Sequence, residues 1–197
     1  MEIIAATNNL HKIEELRPLF SEHTLLSPFE IGIQDFNPKE TGDNFFENAH
    51  IKAEALFLKT DRPVLADDSG LCVDALEGRP GINSARYGSK GDDMLTASQK
   101  NELLLKELHG IADRRCAFVC CLILQYGIKK FLCVQETLEG VIAESPRGEG
   151  GFGYDPIVFL PEYKKTVAEL SQIEKNRISH RGKAAQKMAA MLQLISS

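Results

Sequence analysis

A chain of 197 residues with 43% hydrophobic side chains suffices for one generous domain or two small lobes sharing a core, and this excludes global disorder. Its formal net charge of -5 argues against a general binder of nucleic-acid polymers, which needs a basic face. No apolar run approaches the roughly 18 residues of a membrane span, the start Met1-Glu2-Ile3-Ile4 lacks the basic opening of a signal peptide, and five cysteines without a Cys-x-x-Cys pair read as buried, reduced thiols of a cytoplasmic protein.

Residues 2–7 read as a buried strand, with Asn8-Asn9 as a turn. Leu10, Ile13, Leu16, Leu19 and Phe20 recur at helical spacing over residues 10–20, where Glu14 and Glu15 suit the positive end of the helix dipole. A loop carrying Pro28, Gly32 and Pro38 leads to Lys39-Glu40-Thr41-Gly42. A helix over 44–59 follows, with Asn44 as cap, Glu47 completing a capping box, and a core face of Phe45, Ala49, Ala53, Leu56 and Phe57. Residues 63–67 and 71–76 read as two strands, 77–81 as a turn, and 93–109 as an amphipathic helix. Residues 116–126, apolar on both faces, form a central strand that pairs with 129–137 as a hairpin, Gly127 marking the turn; 139–144 is a further strand. A glycine-rich loop at 148–153 precedes a strand at 157–160, and a last helix runs from Ser179 to about residue 195. Strands separated by helices make this an α/β fold with a mixed sheet.

Four clusters carry chemistry. Asp67-Asp68 closes the apolar run Pro63-Val64-Leu65-Ala66; neighbouring strand side chains point to opposite faces, so one of the pair faces any given site. With Glu40 the pair offers hard oxygen ligands, and magnesium takes one or two carboxylates plus substrate phosphates; the alternative is a polar turn after the strand and a surface loop charge at Glu40. Thr7-Asn8-Asn9-Leu10-His11-Lys12, at a strand-to-helix junction, is either a phosphate site or a capped helix with a solvated lysine. Gly148 to Pro156 formally matches Gly-x-Gly-x-x-Gly, but Pro156 and Ile157-Val158-Phe159 follow where a dinucleotide fold has a helix. The loop instead lets backbone approach a ligand, with Phe152 and Tyr154 as stacking faces and Asp155 as an acceptor, or else turns its aromatics into the core. Lys175 precedes Ser179-His180-Arg181; cations in the first helical turn oppose the dipole, which makes sense where an anion sits, or else is a tolerated basic surface. Gly182-Lys183-Ala184 lacks the Ser or Thr of a P-loop, and Arg177 stands where its first glycine belongs.

Taken in order, Thr7-Asn8-Asn9 with Lys12, Glu40-Thr41-Gly42, Phe46-Glu47-Asn48-Ala49, Leu65 to Leu71, Ser84-Ala85-Arg86-Tyr87, Gly151 to Pro156 and Ser179-His180-Arg181-Gly182 resemble the inosine triphosphatase type of nucleoside triphosphate pyrophosphatase over nearly the whole chain. The resemblance implies one domain over residues 1–197, an elongated two-lobed α/β fold around a long mixed sheet flanked by helices, with a cleft between the lobes and a homodimeric assembly. It implies magnesium-dependent hydrolysis of ITP, dITP and XTP to the monophosphate plus pyrophosphate. Asp68 is then the proton acceptor and, with Glu40, a metal ligand. Thr7, Asn8, Asn9, Leu10, His11 and Lys12 face the triphosphate, and Ser69 contacts substrate. Phe152, Gly153, Tyr154 and Asp155 hold the base, and Lys175, His180 and Arg181 contact the nucleotide, the last two near its 6-oxo edge. Asn83 replaces an aromatic residue common in the family, and His50 an aliphatic one. Two other readings stay open: a nucleotide sensor without turnover, and a pyrophosphatase of different base preference.

Overall fold

The computed structural model describes residues 1–89, 91 and 93–195, the side chains of 194 and 195 excepted. Its strands are β1 (Glu2–Ala5), β2 (Thr24–Leu26), β3 (Val64–Val73), β4 (Arg115–Gly127), β5 (Lys130–Ile142), β6 (Val158–Leu160) and β7 (Lys165–Thr166). They form a seven-stranded sheet in the order β2-β1-β3-β4-β5-β6-β7. β1 runs parallel to β2 and β3, whereas β6 is antiparallel to β5 and β7, so the sheet is mixed as the sequence implies. The helices are α1 (Leu10–Leu16), α2 (Phe45–Thr60), α3 (Ala97–Glu107), α4 (Gln172–Ile178) and α5 (His180–Ile195).

Backbone contacts divide the chain into two compact units, the first built from residues 1–68, 120–136 and 178–197, the second from 69–119 and 137–177. In the first unit the period-2 alternation of the strands sorts side chains into two cores. Ile3, Ala5, Leu65, Cys120, Leu122 and Leu124 pack with Ile13 and Leu16 of α1 and Ala184, Ala185 and Met188 of α5. Ile4, Ala6, Val64, Ala66, Cys121 and Ile123 pack with Ala49, Ala53, Leu56 and Phe57 of α2. A sheet covered on both faces explains why the central strands read as continuous apolar runs rather than alternating ones.

Several elements differ from the sequence reading, each for a local reason. β3 is one strand through Ser69-Gly70, not two. Ser69-Gly70 reads as a break by composition, but a Cβ at Gly70 would lie 2.2 Å from the Gly81 carbonyl oxygen and 2.5 Å from Ser84 Oγ, so the glycine serves close packing. Pro18 converts residues 17–20 from α-helix to a 3-10 turn. Asn44 caps α2 by accepting from Glu47 N, but Glu47 returns its hydrogen bond to Asp43 N, one residue short of a capping box. Thr96 and Gln99 form a complete capping box, so α3 begins at Ala97 rather than residue 93. β5 absorbs the strand expected at 139–144. Cys72 is half-buried and Cys133 exposed, so burial of all five thiols does not hold, although all five are free. Among the described residues no helix is long and apolar enough to cross a membrane.

Candidate functional site

The two faces of β3 divide the adjacent aspartates. Asp67 follows Leu65 on the side of α1 and α5; Asp68 follows Ala66 on the side of α2. On the first side Lys12 Nζ donates to Asp67 Oδ1 at 2.5 Å, and Arg181 Nε donates to Asp67 Oδ2 at 2.8 Å. Arg181 Nη1 donates in turn to Glu15 Oε2 at 2.7 Å, and the Cys120 thiol contributes a further donor to Asp67 Oδ2 at 3.3 Å. Burial alone would raise the pKa of Asp67, but the Arg181 and Lys12 cations outweigh it and hold the carboxyl well below its ordinary range. The same carboxylates hold Arg181, whose side chain is 2% exposed, firmly charged against the opposing effect of burial.

On the other face Lys52 of α2 reaches both remaining carboxylates. Its Nζ donates to Asp68 Oδ1 at 2.6 Å and to Glu40 Oε1 at 3.1 Å. Burial pulls the Lys52 ammonium down, but the Asp68 and Glu40 charges more than offset this and raise its pKa. For Asp68 burial prevails: it pushes the carboxyl upward, and the attraction of Lys52 offsets only part of the shift. Asp68 Oδ2 is buried and has no hydrogen-bond partner among the described residues. A carboxylate with one oxygen fixed by a lysine, the other uncommitted, and a raised pKa is suited to taking up a proton.

The loop ahead of α1 is open. Asn8, Asn9, Leu10 and His11 are exposed, and Thr7 is half-buried. Its internal bonds cap the helix end. Asn9 Oδ1 accepts from His11 N at 3.0 Å and Lys12 N at 3.4 Å, and Asn8 Nδ2 is committed to the Phe36 carbonyl at 2.7 Å. The helix start is therefore capped by its own side chain, and Lys12 is paired rather than solvated. The anion called for by the cations opening α5 is likewise internal, since Asp67 and Glu15 supply it. Ser179 caps α5 as expected, accepting from Gly182 N at 3.0 Å, and His180 is buried beside it.

The second unit gathers a different group. Lys175 of α4, 3% exposed, donates to Asp155 Oδ2 at 2.6 Å, and its ammonium sits 4.8 Å from the centroid of the Phe152 ring. Asp155 Oδ2 also accepts from Phe152 N at 2.8 Å, closing the loop on itself. At Gly151, with φ of 71°, a Cβ would fall 2.0 Å from that oxygen, so the loop wraps the carboxylate only because it carries no side chain there. Asn101 Nδ2 holds the Gly153 carbonyl at 3.1 Å, and Tyr154 donates to the Ser84 carbonyl at 3.0 Å. Phe152 and Gly153 are half-buried, whereas Tyr154 lies in the core with its hydroxyl committed; Ser69 is half-buried. Residues 155–157 form a 3-10 turn before β6, in keeping with the exclusion of a dinucleotide motif.

The two units thus collect the residues singled out in the sequence into a group around Asp67, Asp68, Lys12, Glu40 and Arg181, and a group around Phe152, Asp155 and Lys175. The Ham1 family model matches residues 3–191. The chain belongs to the Ham1 family. A dITP/XTP pyrophosphatase of Treponema denticola is 50% identical over 184 residues, covering 93% of this chain and 94% of its own length. One from Geobacillus kaustophilus is 47% identical over 190 residues, covering 95% and 92%. A solved Ham1 protein of Coxiella burnetii superposes with a TM-score of 0.88 at 38% identity, covering 98% of both chains. Seen as a Ham1 fold, the chain contains two charged residues that the sequence places in none of the four clusters. Lys52 lies on the apolar face of α2, between Ala49 and Leu56 at helical spacing, and a lysine in that stripe is the signal that marks it. Glu15 was assigned to the helix dipole but is buried against Arg181.

Among the described residues no three His, Cys, Asp or Glu side chains gather into a metal cage. Glu40 and Asp68, both within hydrogen-bonding reach of one lysine, still match the one or two carboxylates that magnesium takes when phosphates complete its shell. The uncommitted Asp68 Oδ2 is an oxygen of the right kind for that role.

Proposed function

We propose that this protein hydrolyses deaminated purine nucleoside triphosphates, ITP, dITP and XTP, to the monophosphate and pyrophosphate, as a magnesium-dependent pyrophosphatase acting on the cytoplasmic nucleotide pool and assembled as a homodimer. The observation that carries the chemistry is Asp68: a buried carboxylate, raised in pKa, with one oxygen held by Lys52 and the other uncommitted. The names of its Ham1 relatives carry the substrate class.

In this reading Asp68 accepts a proton from water as that water's oxygen bonds to the α-phosphorus. The bond from that phosphorus to the bridging oxygen breaks, and pyrophosphate leaves with the electron pair. Lys52 holds Asp68 Oδ1, so the basic oxygen is presented in a fixed direction. Glu40 and Asp68 hold the magnesium ion, which neutralises phosphate charge when bound. Thr7 to Lys12 line the triphosphate, with Lys12 offsetting charge on the leaving group while Asp67 fixes its position. Ser69 contacts the substrate beside Asp68.

Base selection falls to Phe152, Gly153, Tyr154, Asp155, Lys175, His180 and Arg181. Phe152 offers a stacking face, and His180 and Arg181 serve the 6-oxo edge. The Arg181 guanidinium is fixed by two carboxylates and so is a preorganised donor. A site that donates to a 6-oxo group leaves a buried donor unpaired opposite a 6-amino group, a mismatch of several kcal/mol on the scale of buried polar groups. The test is to incubate the protein with magnesium and ITP, dITP, XTP, ATP, GTP and pyrimidine triphosphates, and to quantify pyrophosphate against orthophosphate. The expected result is pyrophosphate release with kcat/KM for ITP and XTP about 100-fold or more above that for ATP. Orthophosphate as product, equal use of ATP, or no release at all overturns the proposal.

Lys175→Met keeps the apolar stem of the side chain and removes the charge above Phe152. We expect KM for ITP to rise about tenfold with kcat changed by less than about threefold, the signature of lost ground-state binding. Steady-state kinetics read this, and an unchanged KM removes Lys175 from the base site.

A further inference from the structure

Cys121 of β4 and Cys133 of β5 stand on adjacent strands of the first unit, with their sulfur atoms 3.7 Å apart. A disulfide needs about 2.05 Å, so closing the gap takes about 1.7 Å of sulfur movement, within reach of small side-chain rotations. The two thiols are unequal. Cys133 is exposed on β5, while Cys121 is fully buried in the core under α2. Cys120 is equally buried, but it packs with the opposite core and bonds Asp67, so the neighbouring position does not duplicate the arrangement.

We propose that Cys121 and Cys133 form a reversible modification site that takes a peroxide as its oxidant and closes to an intramolecular disulfide. In the first step the exposed Cys133 thiolate attacks one peroxide oxygen. The O–O bond breaks, sulfur is oxidised to the sulfenic acid, and the second oxygen leaves as water after taking a proton. In the second step the Cys121 sulfur attacks the Cys133 sulfur, the S–O bond breaks, and the hydroxyl leaves as water with the proton given up by Cys121. Burial keeps Cys121 protonated and shields it from the oxidant, so the order of attack is set by access. It also slows the second step, which the contact distance offsets by making that step intramolecular. A thiol or dithiol reductant reverses the bond by exchange, and in a reducing compartment the link is transient, as a switchable modification requires. None of this depends on the reaction proposed for Asp68.

The full chain is treated with hydrogen peroxide, quenched by alkylation, digested without reductant and mapped by mass spectrometry. The expected product is a single cross-linked peptide joining Cys121 to Cys133, with the intact chain lighter by two hydrogens and dithiothreitol restoring both free thiols. In Cys121→Ala the sulfenic acid has no partner, and Cys133 proceeds to sulfinic or sulfonic acid at the same peroxide dose. Over-oxidation of Cys133 in the wild-type chain, or disulfides only between chains or between other cysteines, overturns the proposal. The wild-type map decides the matter even if a variant folds poorly.

Discussion

Asp68→Asn is expected to lower kcat for ITP by about 100- to 10,000-fold, the range spanned by loss of a general base, while Tm stays within a few degrees of wild type. The two halves of that expectation come from the same property. The folded-state pKa of Asp68 lies above the ordinary carboxylate value because burial disfavours its charge more than Lys52 favours it. A group shifted upward contributes stability that is fully present below its unfolded pKa and is lost as pH rises through the folded value. At neutral pH the ionised Asp68 therefore weakens the fold. Asparagine keeps its shape and drops the charge, and Lys52 retains Glu40 at 3.1 Å. A residue that lowers stability where a neutral isostere is available is typical of an active site. Pyrophosphate release at saturating ITP and a thermal melt of the same preparation read both halves. Near-normal turnover removes Asp68 as the base; collapse of the fold removes the argument from its pKa.

The first unit was legible where one physical rule governs a stretch of chain. Alternation along β3 places Asp67 and Asp68 on opposite faces whatever else happens, and the structure places their partners accordingly: Lys12 and Arg181 on one side, Lys52 on the other. The apolar stripe of α2 and the cap at Ser179 are likewise local. What the sequence did not disclose is pairing at a distance. Glu15 and Arg181 are separated by 166 positions, and nothing beside either residue announces the other. The dipole rule detected that cations at the start of α5 need an anion, but it has no means of telling a ligand from a side chain of the same protein. Lys52 was missed for the opposite reason. Its stripe position was visible, but a lysine among alanines and leucines is usually read as one that reaches outward to solvent. In the second unit α4 escaped notice because it has no apolar stripe: Ile173 is 84% exposed, and within the helix Lys175 is the buried residue. The continuous β3 was hidden by Ser69-Gly70, since composition cannot separate a glycine that turns the chain from one that admits a neighbouring backbone.

Arg181→Leu is expected to destabilise the protein by about 3–5 kcal/mol at neutral pH, the loss seen when one partner of a buried ion pair is removed. The guanidinium is the shared counter-charge of Asp67 and Glu15, both buried, and leucine fills most of its volume without answering either carboxylate. Asp67 keeps Lys12 and the Cys120 thiol; Glu15 loses its 2.7 Å bond to Arg181. The pH dependence has a definite sign. The folded pKa of Asp67 is depressed, so its contribution to stability is fully present above the unfolded value and is lost as pH falls through the folded one. In Arg181→Leu part of that depression is gone. The gap between wild type and variant is therefore widest at neutral pH and narrows once pH drops below about 4, the ordinary carboxylate value. Adding Glu15→Gln removes the charge that faced Arg181, so the double variant regains part of the loss, about 1 kcal/mol or more, as coupling within one network requires. Urea denaturation at pH 7 and at about pH 2.5, below the ordinary carboxylate value, measures each quantity. A loss below about 1 kcal/mol, or one that does not change with pH, would mean that Arg181 is not what holds the two carboxylates. The kinetic consequence follows from the same chain of contacts: once Arg181 no longer draws on Asp67, that carboxylate can shift its position, and Lys12, the lysine proposed to face the triphosphate, loses its fixed place.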